Sequence, residues 1–211
     1  MFAEGKSPVP EGFVDFGLPS GTLWSTKNIG ATNGDTAESW YGNYYSWGET
    51  ETKANYSWDT YKYANGANKK LTKYCNNSDF GDNGFTDELT QLVPEDDVAT
   101  KTNSAWRMPT KEDFEELVAG TTNSWVTNYK GISGLKGRVF TSKVNGNTMF
   151  IPAAGYRDGS SIHYVGSNCI LWSSSLRLDY PCNAYRLYFD SRNIIMNSSN
   201  RCFGYSVRPI C

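Results

Sequence analysis

One histidine, His163, and five cysteines, Cys75, Cys169, Cys182, Cys202 and Cys211, are the side chains of this 211-residue chain best suited to hold a metal or act as nucleophiles. Zinc sites need close cysteine or histidine pairs, and small disulfide frameworks need an even number of cysteines. Here the number is odd and no C-x-x-C occurs, so neither is indicated and at least one thiol is left over. His163 stands alone, without an acidic cluster nearby, and reads as a surface histidine. General acid–base work would call on carboxylates. Glu95, Asp96 and Asp97 follow Pro94 and suit a helix N-terminus, where the backbone dipole favours negative charge. Glu112, Glu115 and Glu116 lie opposite an apolar helix face of Phe114, Leu117 and Val118 and read as a solvated side. No nucleophile, base and orienting group come together, so no catalytic residue, metal or cofactor is expected.

Recognition chemistry is better represented. The run Trp40-Tyr41-Gly42-Asn43-Tyr44-Tyr45-Ser46-Trp47-Gly48 could stack a sugar or a base, and Trp58 is a further aromatic candidate. Core packing is the stronger reading of the run, because aromatics dominate small cores and Gly42 and Gly48 permit close approach. A net charge of -2 supplies no basic stripe for phosphates, so nucleic acid is not an expected partner. No stretch approaches the roughly 18 apolar residues of a membrane span, and direct membrane insertion is not expected. Met1 to Pro10 lacks the apolar core of a signal peptide.

The strongest compositional signal lies at the C-terminal end. The sixty residues Pro152 to Cys211 contain no Lys, Glu or Gln, whereas the preceding 151 hold twelve Lys, ten Glu and one Gln. At the earlier rate about nine would be expected. The tail keeps ten Ser, six Arg, six Tyr, five Asn and three Asp, so burial is not the filter: it would remove Arg and Asp as well. A binding surface is one filter, since paratope-like surfaces favour Tyr, Ser, Asn, Gly and Arg over Lys and Glu. A second acts on codons. Randomising the two adenines of an AAC codon yields Asn, Ser, Thr, Ile, Asp, Gly, Ala, Val, His, Arg, Pro, Leu, Tyr, Cys or Phe, and never Lys, Glu, Gln, Met or Trp. Every tail residue belongs to that set except Trp172 and Met196, which are fixed on this reading.

These positions must be carried by local structure. Length and high aromatic content fit one domain with a substantial core, and abundant Gly, Asn and Ser point to a loop-rich β-containing globule. Gly12 to Leu18 and Thr22 to Ile29 read as short β segments, and 51–83 as a long surface excursion. Pro94 to Thr100 predicts one helix. A second begins at Thr110, an N-cap with Asp113 three residues on, and stops at Gly120. Asn145-Gly146-Asn147 predicts a hairpin between Arg138–Val144 and Thr148–Pro152. Leu171–Ser174, Ala184–Asp190 and Tyr205–Ile210 are strand candidates, with irregular polar segments between them.

Six blocks, taken in order, resemble a known family: Val14-Asp15-Phe16-Gly17-Leu18-Pro19-Ser20-Gly21-Thr22-Leu23-Trp24, Tyr44-Tyr45-Ser46-Trp47-Gly48-Glu49, Trp106-Arg107-Met108-Pro109-Thr110, Pro152-Ala153-Ala154-Gly155-Tyr156-Arg157, Trp172-Ser173-Ser174-Ser175 and Ser206-Val207-Arg208-Pro209. They look like the bacterial group known as the Fibrobacter major paralogous domain. The resemblance runs from about Gly12 to the end. It implies an α+β, C-type lectin-like fold of the formylglycine-generating-enzyme-like branch, with two short helices, small antiparallel sheets and long loops. The expected organisation is a flexible segment 1–11, then a single domain 12–211 whose hypervariable region spans about 156–206. Some members resemble the variable target proteins of diversity-generating retroelements, in which a reverse transcriptase randomises adenines near the gene's 3′ end. Such targets are typically displayed on cell surfaces, pili or phage particles.

On this resemblance Gly155, Gly159, Gly166, Trp172, Ser173, Ser174, Ser175, Leu187, Phe189, Gly204, Val207, Arg208 and Pro209 match a constant framework. The intervening positions are candidate ligand contacts: Asp158, His163, Tyr164, Asn168, Cys169, Ile170, Leu171, Arg177, Leu178, Asp179, Cys182, Asn183, Arg186, Asp190, Arg192, Asn193, Ile195, Asn197, Ser198, Asn200, Cys202, Phe203 and Tyr205. The expected function is non-enzymatic recognition of a protein or glycan on another cell, phage or host surface. Calcium-dependent sugar-binding lectins use Glu-Pro-Asn or Gln-Pro-Asp and Trp-Asn-Asp elements. Neither is present, since Trp172 is followed by Ser173 and Ser174. One alternative is a fixed carbohydrate-binding adhesin stacking sugar on Trp40, Trp47 or Trp58. Another is a formylglycine-generating-type enzyme using Cys169 and Cys202.

Overall fold

The computed structural model describes residues 8–211, so the expected flexible segment 1–11 lies mostly outside the described residues; Pro8 to Glu11 are exposed. The chain is α+β, with few helices and several small antiparallel sheets. Strands β1 (Phe13–Asp15) and β2 (Leu23–Ser25) pair first. The short helix α1 (Glu38–Tyr41) follows, then a long stretch without strands, then α2 (Val98–Thr102) and α3 (Lys111–Gly120). Strands β3 (Thr121–Val126), β4 (Gly137–Ser142) and β5 (Thr148–Pro152) form a three-stranded sheet in that order. β6 (Tyr156–Asp158) and β7 (Ser161–His163) make a two-stranded ribbon. β8 (Cys169–Leu176), β9 (Asn183–Phe189) and β10 (Ile194–Asn200) form the last sheet, with β9 central.

Helix α3 starts where its capping chemistry dictates. Thr110 Oγ1 accepts from the Asp113 amide at 3.1 Å, and the Asp113 carboxylate accepts from the Thr110 amide at 2.7 Å. This reciprocal box satisfies two donors that the first turn leaves free. Gly120 is the last residue of α3 but not the expected left-handed stop, since Thr121 caps the helix in an extended conformation; a Cβ at Gly120 would lie 2.4 Å from Leu18 Cδ2, so the glycine leaves room for a core side chain. The β4–β5 turn has Gly146 at φ +76°, and the Asn145 and Asn147 amides donate to the Asp15 carbonyl at 2.9 and 2.8 Å.

Several expectations need correction, beginning with the helices: three α-helices, α1 to α3, stand among the described residues where two were expected. The helix expected over Pro94–Thr100 is a 3-10 turn, Pro94–Asp96, followed by α2. Asp97 does cap α2, accepting from the Ala99 and Thr100 amides, but Asp96 turns into the core and accepts from Tyr63, Tyr74 and Lys73. The stretch 51–83 is not a surface excursion either. Tyr56, Tyr61, Tyr63, Leu71, Tyr74 and Cys75 are buried. The tyrosine hydroxyls find partners there: Tyr56 donates to the Tyr44 carbonyl and Tyr61 to the Trp47 carbonyl, both at 2.7 Å.

The tail sheet is the wall between two cores. On one face Cys169, Leu171, Leu187 and Phe189 pack with Trp24, Phe114, Leu117 and Phe140. On the other, Ile170 and Trp172 join Trp47, Tyr61, Tyr74, Tyr205 and Val207. Tyr205 to Ile210 forms bridges instead of the expected regular strand, reaching Tyr45, Leu171, Trp24 and Arg107. Its end pairs with β2, Leu23 and Cys211 exchanging backbone hydrogen bonds of 2.9 and 3.1 Å.

Candidate functional site

The pleat of the β8–β9–β10 sheet sorts the tail. Side chains alternate between faces along a strand, and directly paired residues share a face. Tyr188 pairs with Ile195, Arg186 with Asn197, and Ala184 with Ser199, so Arg186, Tyr188, Ile195, Asn197 and Ser199 share the face of Ile170, Trp172 and Ala184, which is core at β8 and opens outward along β10. Leu187 pairs with Met196 and Phe189 with Ile194, on the face turned toward α3. Arg186, Tyr188, Ile195 and Asn197 line a shallow groove.

An aromatic strip continues from this groove. Tyr205 lies beneath it, its ring 4.2 Å from Trp172 and 5.8 Å from Tyr156. Tyr156 in turn meets His163 at 5.4 Å, Tyr164 at 6.0 Å and Phe203 at 6.1 Å. The ribbon β6–β7 places His163 directly opposite Tyr156, and Tyr164, at φ +56°, turns outward just beyond it. Tyr164 is exposed, as are Ile162 and Val165 beside it. The Arg186 guanidinium carbon sits 5.4 Å from the Tyr188 ring and 6.0 Å from the Tyr205 ring, within reach of cation–π attraction.

Arg186 is half-buried, and burial pushes its guanidinium below the ordinary arginine range; nearby Tyr205 and Tyr188 partly offset this. Its Nε donates to Ser199 Oγ at 2.6 Å, while Nη1 is buried and unpaired. Asp190, the nearest acid in sequence, is already engaged. Hydrogen bonds from the Arg192 and Asn193 amides hold its carboxyl at about 2, and Tyr188 donates to it at 3.0 Å.

The sequence candidates do not form one patch. His163, Tyr164, Arg186, Ile195, Asn197 and Phe203 belong to the outward strip. Asp190, Arg192 and Asn193 occupy the β9–β10 turn, and Asn168 lines a second groove with Asp190 and Arg192. Arg177, Leu178 and Asp179 lie in the β8–β9 loop at the other end of the strands, roughly 20 Å away along a seven-residue strand. There Arg177 pairs with Asp179 and donates to Ser198, and Asn183 also donates to Ser198. Asp158 is exposed at the β6–β7 turn, and Asn200 is partly buried at the end of β10.

Six candidates are core residues in this structure. Cys169 and Leu171 are fully buried against α3's core, and Ile170 is buried on the Trp172 side, because β8 is covered on both faces. Cys182 packs with Leu71, Cys75 and Phe80. Cys202 and Tyr205 lie in the Trp47–Trp172 core. As placed, none of the six presents a side chain to a ligand. Cys169 and Cys202 occupy separate clusters, and burial pushes both thiols up, Cys202 to about 12. That geometry does not make the paired, ionisable cysteines an oxidase needs. Trp40 and Trp47 are buried too, the Trp47 indole donating to the Ser173 carbonyl at 2.8 Å, so neither offers a face to sugar.

Tyr156, Tyr188 and Ser199 were missed as contacts. Tyr188 could have been found, standing two residues from Arg186 in a strand of period two. Tyr156 could not, because only the ribbon brings it to the strip. Among the described residues, no group of three or more His, Cys, Asp or Glu is placed to hold a metal ion. No family model, curated protein or solved structure matches the chain.

Proposed function

We propose that this chain is a recognition module with a C-type lectin-like scaffold, whose tail presents a diversified face to a protein ligand on another cell, phage or host surface. The α+β arrangement of short helices, small antiparallel sheets and long connections is the architecture this reading requires. The observation that carries it is the distribution of exposed apolar side chains. Among the described residues six of the nine large ones, Ile162, Tyr164, Val165, Leu178, Tyr180 and Ile195, belong to the tail, which is under a third of the chain. Exposed apolar groups concentrated in one segment and set among Arg, Tyr, Ser and Asn are the composition of a recognition surface. Exposed Ile and Val favour a protein surface over a glycan, whose hydroxyls leave such groups unmatched.

The framework matches support the same division. Trp172, Leu187, Phe189, Val207 and Arg208 are all buried, while exposed Ile195 and Asn197 alternate with half-buried Ile194, Met196 and Ser198 along β10. In the diversified reading, the codons for residues 156–206 vary across a population at outward positions and stay constant at Trp172 and Leu187. The same reading expects a near-copy of that segment, differing at adenines, beside a reverse transcriptase gene. Sequencing the locus and its flanks in many isolates tests both statements. Strict identity throughout, or variation spread evenly over buried and outward positions, would refute diversification. Display on a cell surface, pilus or phage particle is part of the proposal. Among the described residues no helix is long and apolar enough to cross a membrane, so an anchoring partner or segment would supply attachment.

A further inference from the structure

We infer that Arg186 is the anchor of the face and that it receives a carboxylate from an acidic side chain of a partner polypeptide. The inference rests on the reading of the outward strip as a recognition surface. It starts from how the tail treats its arginines. Arg177 is paired with Asp179, and Arg201 is spent on Tyr61, Tyr74, Pro181 and Lys73. Arg208 donates to the Ser25 and Phe150 carbonyls. Arg186 alone among them lines a groove while keeping a buried nitrogen without a partner. Its one hydrogen bond goes to a neutral hydroxyl, Ser199 Oγ. No carboxylate among the described residues lies within ion-pair distance of it.

A half-desolvated cation without a counter-charge is costly unless something arrives to pair with it. The chain has an acid close by in sequence but turns it elsewhere, since Asp190 is held by the turn amides and Tyr188. What the groove offers is a planar guanidinium between the Tyr188 and Tyr205 rings, with Asn197 beside it and Ile195 on the rim. With Nε on Ser199 and Nη1 buried, the guanidinium meets an arriving carboxylate through its remaining N–H groups, in a charge-assisted hydrogen bond stronger than a neutral one. Free phosphate or an acidic sugar would satisfy the charge. Neither would cover Ile195, which is 46% exposed, or Tyr164, which is 60% exposed. An Asp or Glu with apolar neighbours on a polypeptide does both.

The test uses the full chain, immobilised, and a random peptide phage library as the probe. Selected peptides are expected to share an acid flanked by apolar residues. Their binding to R186Q is expected to be at least about tenfold weaker, with R186K intermediate because an ammonium keeps the charge but not the planar guanidinium. Unchanged urea midpoints for both variants establish that the face is intact. Binding should also fall for I195D and stay unchanged for V144D, an exposed site away from the tail. Peptides that depend on Ile195 but bind R186Q as well as the parent overturn the carboxylate anchor and leave the recognition reading standing. Recovery of no peptide sensitive to I195D overturns both. Arg186-dependent binding of sialylated glycan or inorganic phosphate, with no acidic peptide selected, overturns the polypeptide as the source.

Discussion

Replacing Arg201 by Met tests whether the tail is built into the molecule or merely attached to it. Arg201 is fully buried, and its guanidinium is sandwiched by Trp47 at 5.1 Å and Tyr61 at 5.2 Å. It donates to the Tyr61 hydroxyl at 3.0 Å and to the carbonyls of Tyr74, Pro181 and Lys73 at 2.8 to 2.9 Å. Methionine keeps the aliphatic stem and removes every donor. Tyr61 retains its own hydrogen bond to the Trp47 carbonyl, so three carbonyls are orphaned, none with another donor among the described residues. An orphaned buried acceptor costs about 1–3 kcal/mol, and the released desolvation cost of the guanidinium returns part of that sum. The net expectation is a loss of about 2–4 kcal/mol. Urea unfolding followed by tryptophan fluorescence reads it directly, since Trp47 is the ring beneath the lost charge. Hydrogen exchange locates it: the Leu71 and Asp82 amides, bonded to Phe80 and Leu71, should lose protection. Arg201→Lys should fall between, keeping charge but not the fork. An Arg201→Met chain within about 0.5 kcal/mol of the parent would refute the claim that this arginine joins 51–83 to the tail.

Three further outcomes follow from the same geometry. Trp172→Ala should cost about 3–5 kcal/mol by chemical denaturation, because the ring is fully buried and its indole N–H donates to the Tyr45 carbonyl at 2.8 Å; Asn197→Lys and Arg192→Lys, both exposed, should stay within about 0.5 kcal/mol. Gly155→Ala should lower stability by about 2 kcal/mol or more in the same assay, since φ is +66° and a Cβ would sit 2.1 Å from the His163 carbonyl oxygen. Burial works to raise the Asp96 carboxyl, but hydrogen bonds from Lys73, Tyr63 and Tyr74 prevail and hold it below its ordinary range. The stability it contributes is therefore fully present above the unfolded value near 3.8 and lost as pH falls through the lower folded value; thermal midpoints of Asp96→Asn should lack this acid-side decline.

What was legible in the sequence is what local chemistry decides. Thr110 and Asp113 announced α3, and Asn145-Gly146-Asn147 announced the β4–β5 hairpin, because capping boxes and positive-φ turns are settled within a few residues. β9 was visible through its alternation. β10 was not: Asn197, Ser198, Ser199 and Asn200 carry no apolar period, and only pairing with β9 makes them a strand. The stretch 51–83 was misread because its core groups are tyrosines among Asn, Lys and Ser. A tyrosine buries its ring while its hydroxyl finds a carbonyl or Asp96, so low hydropathy conceals a buried segment. Cys169, Ile170, Leu171 and Cys182 stand among the expected ligand contacts for a different reason: the resemblance assigns them by position between framework residues, and position does not reveal burial. Residue type does not distinguish a small apolar group on an open face from one on a strand covered from both sides.

These placements change the weight of the compositional gap in the tail. Arg201 and Arg208 are fully buried and bonded to carbonyls, and a lysine ammonium could not serve several divergent acceptors from one stem. For those two of the six tail arginines, preference over lysine is a demand of the fold. It is not so at Arg192 or Asn197, whose exposed side chains leave the scaffold indifferent to a lysine. The absence of Lys and Glu is therefore informative only at outward positions, where packing imposes nothing. There the gap is a property of what the face was selected or permitted to display, and a codon filter and a recognition surface make different demands on it. A recognition surface disfavours Lys but accepts Trp and Met; adenine randomisation of Asn codons excludes all three. In the tail Trp172 is fully buried and Met196 lies on the α3 side, so neither stands on the outward strip. That distribution is the one the proposed codon filter would leave.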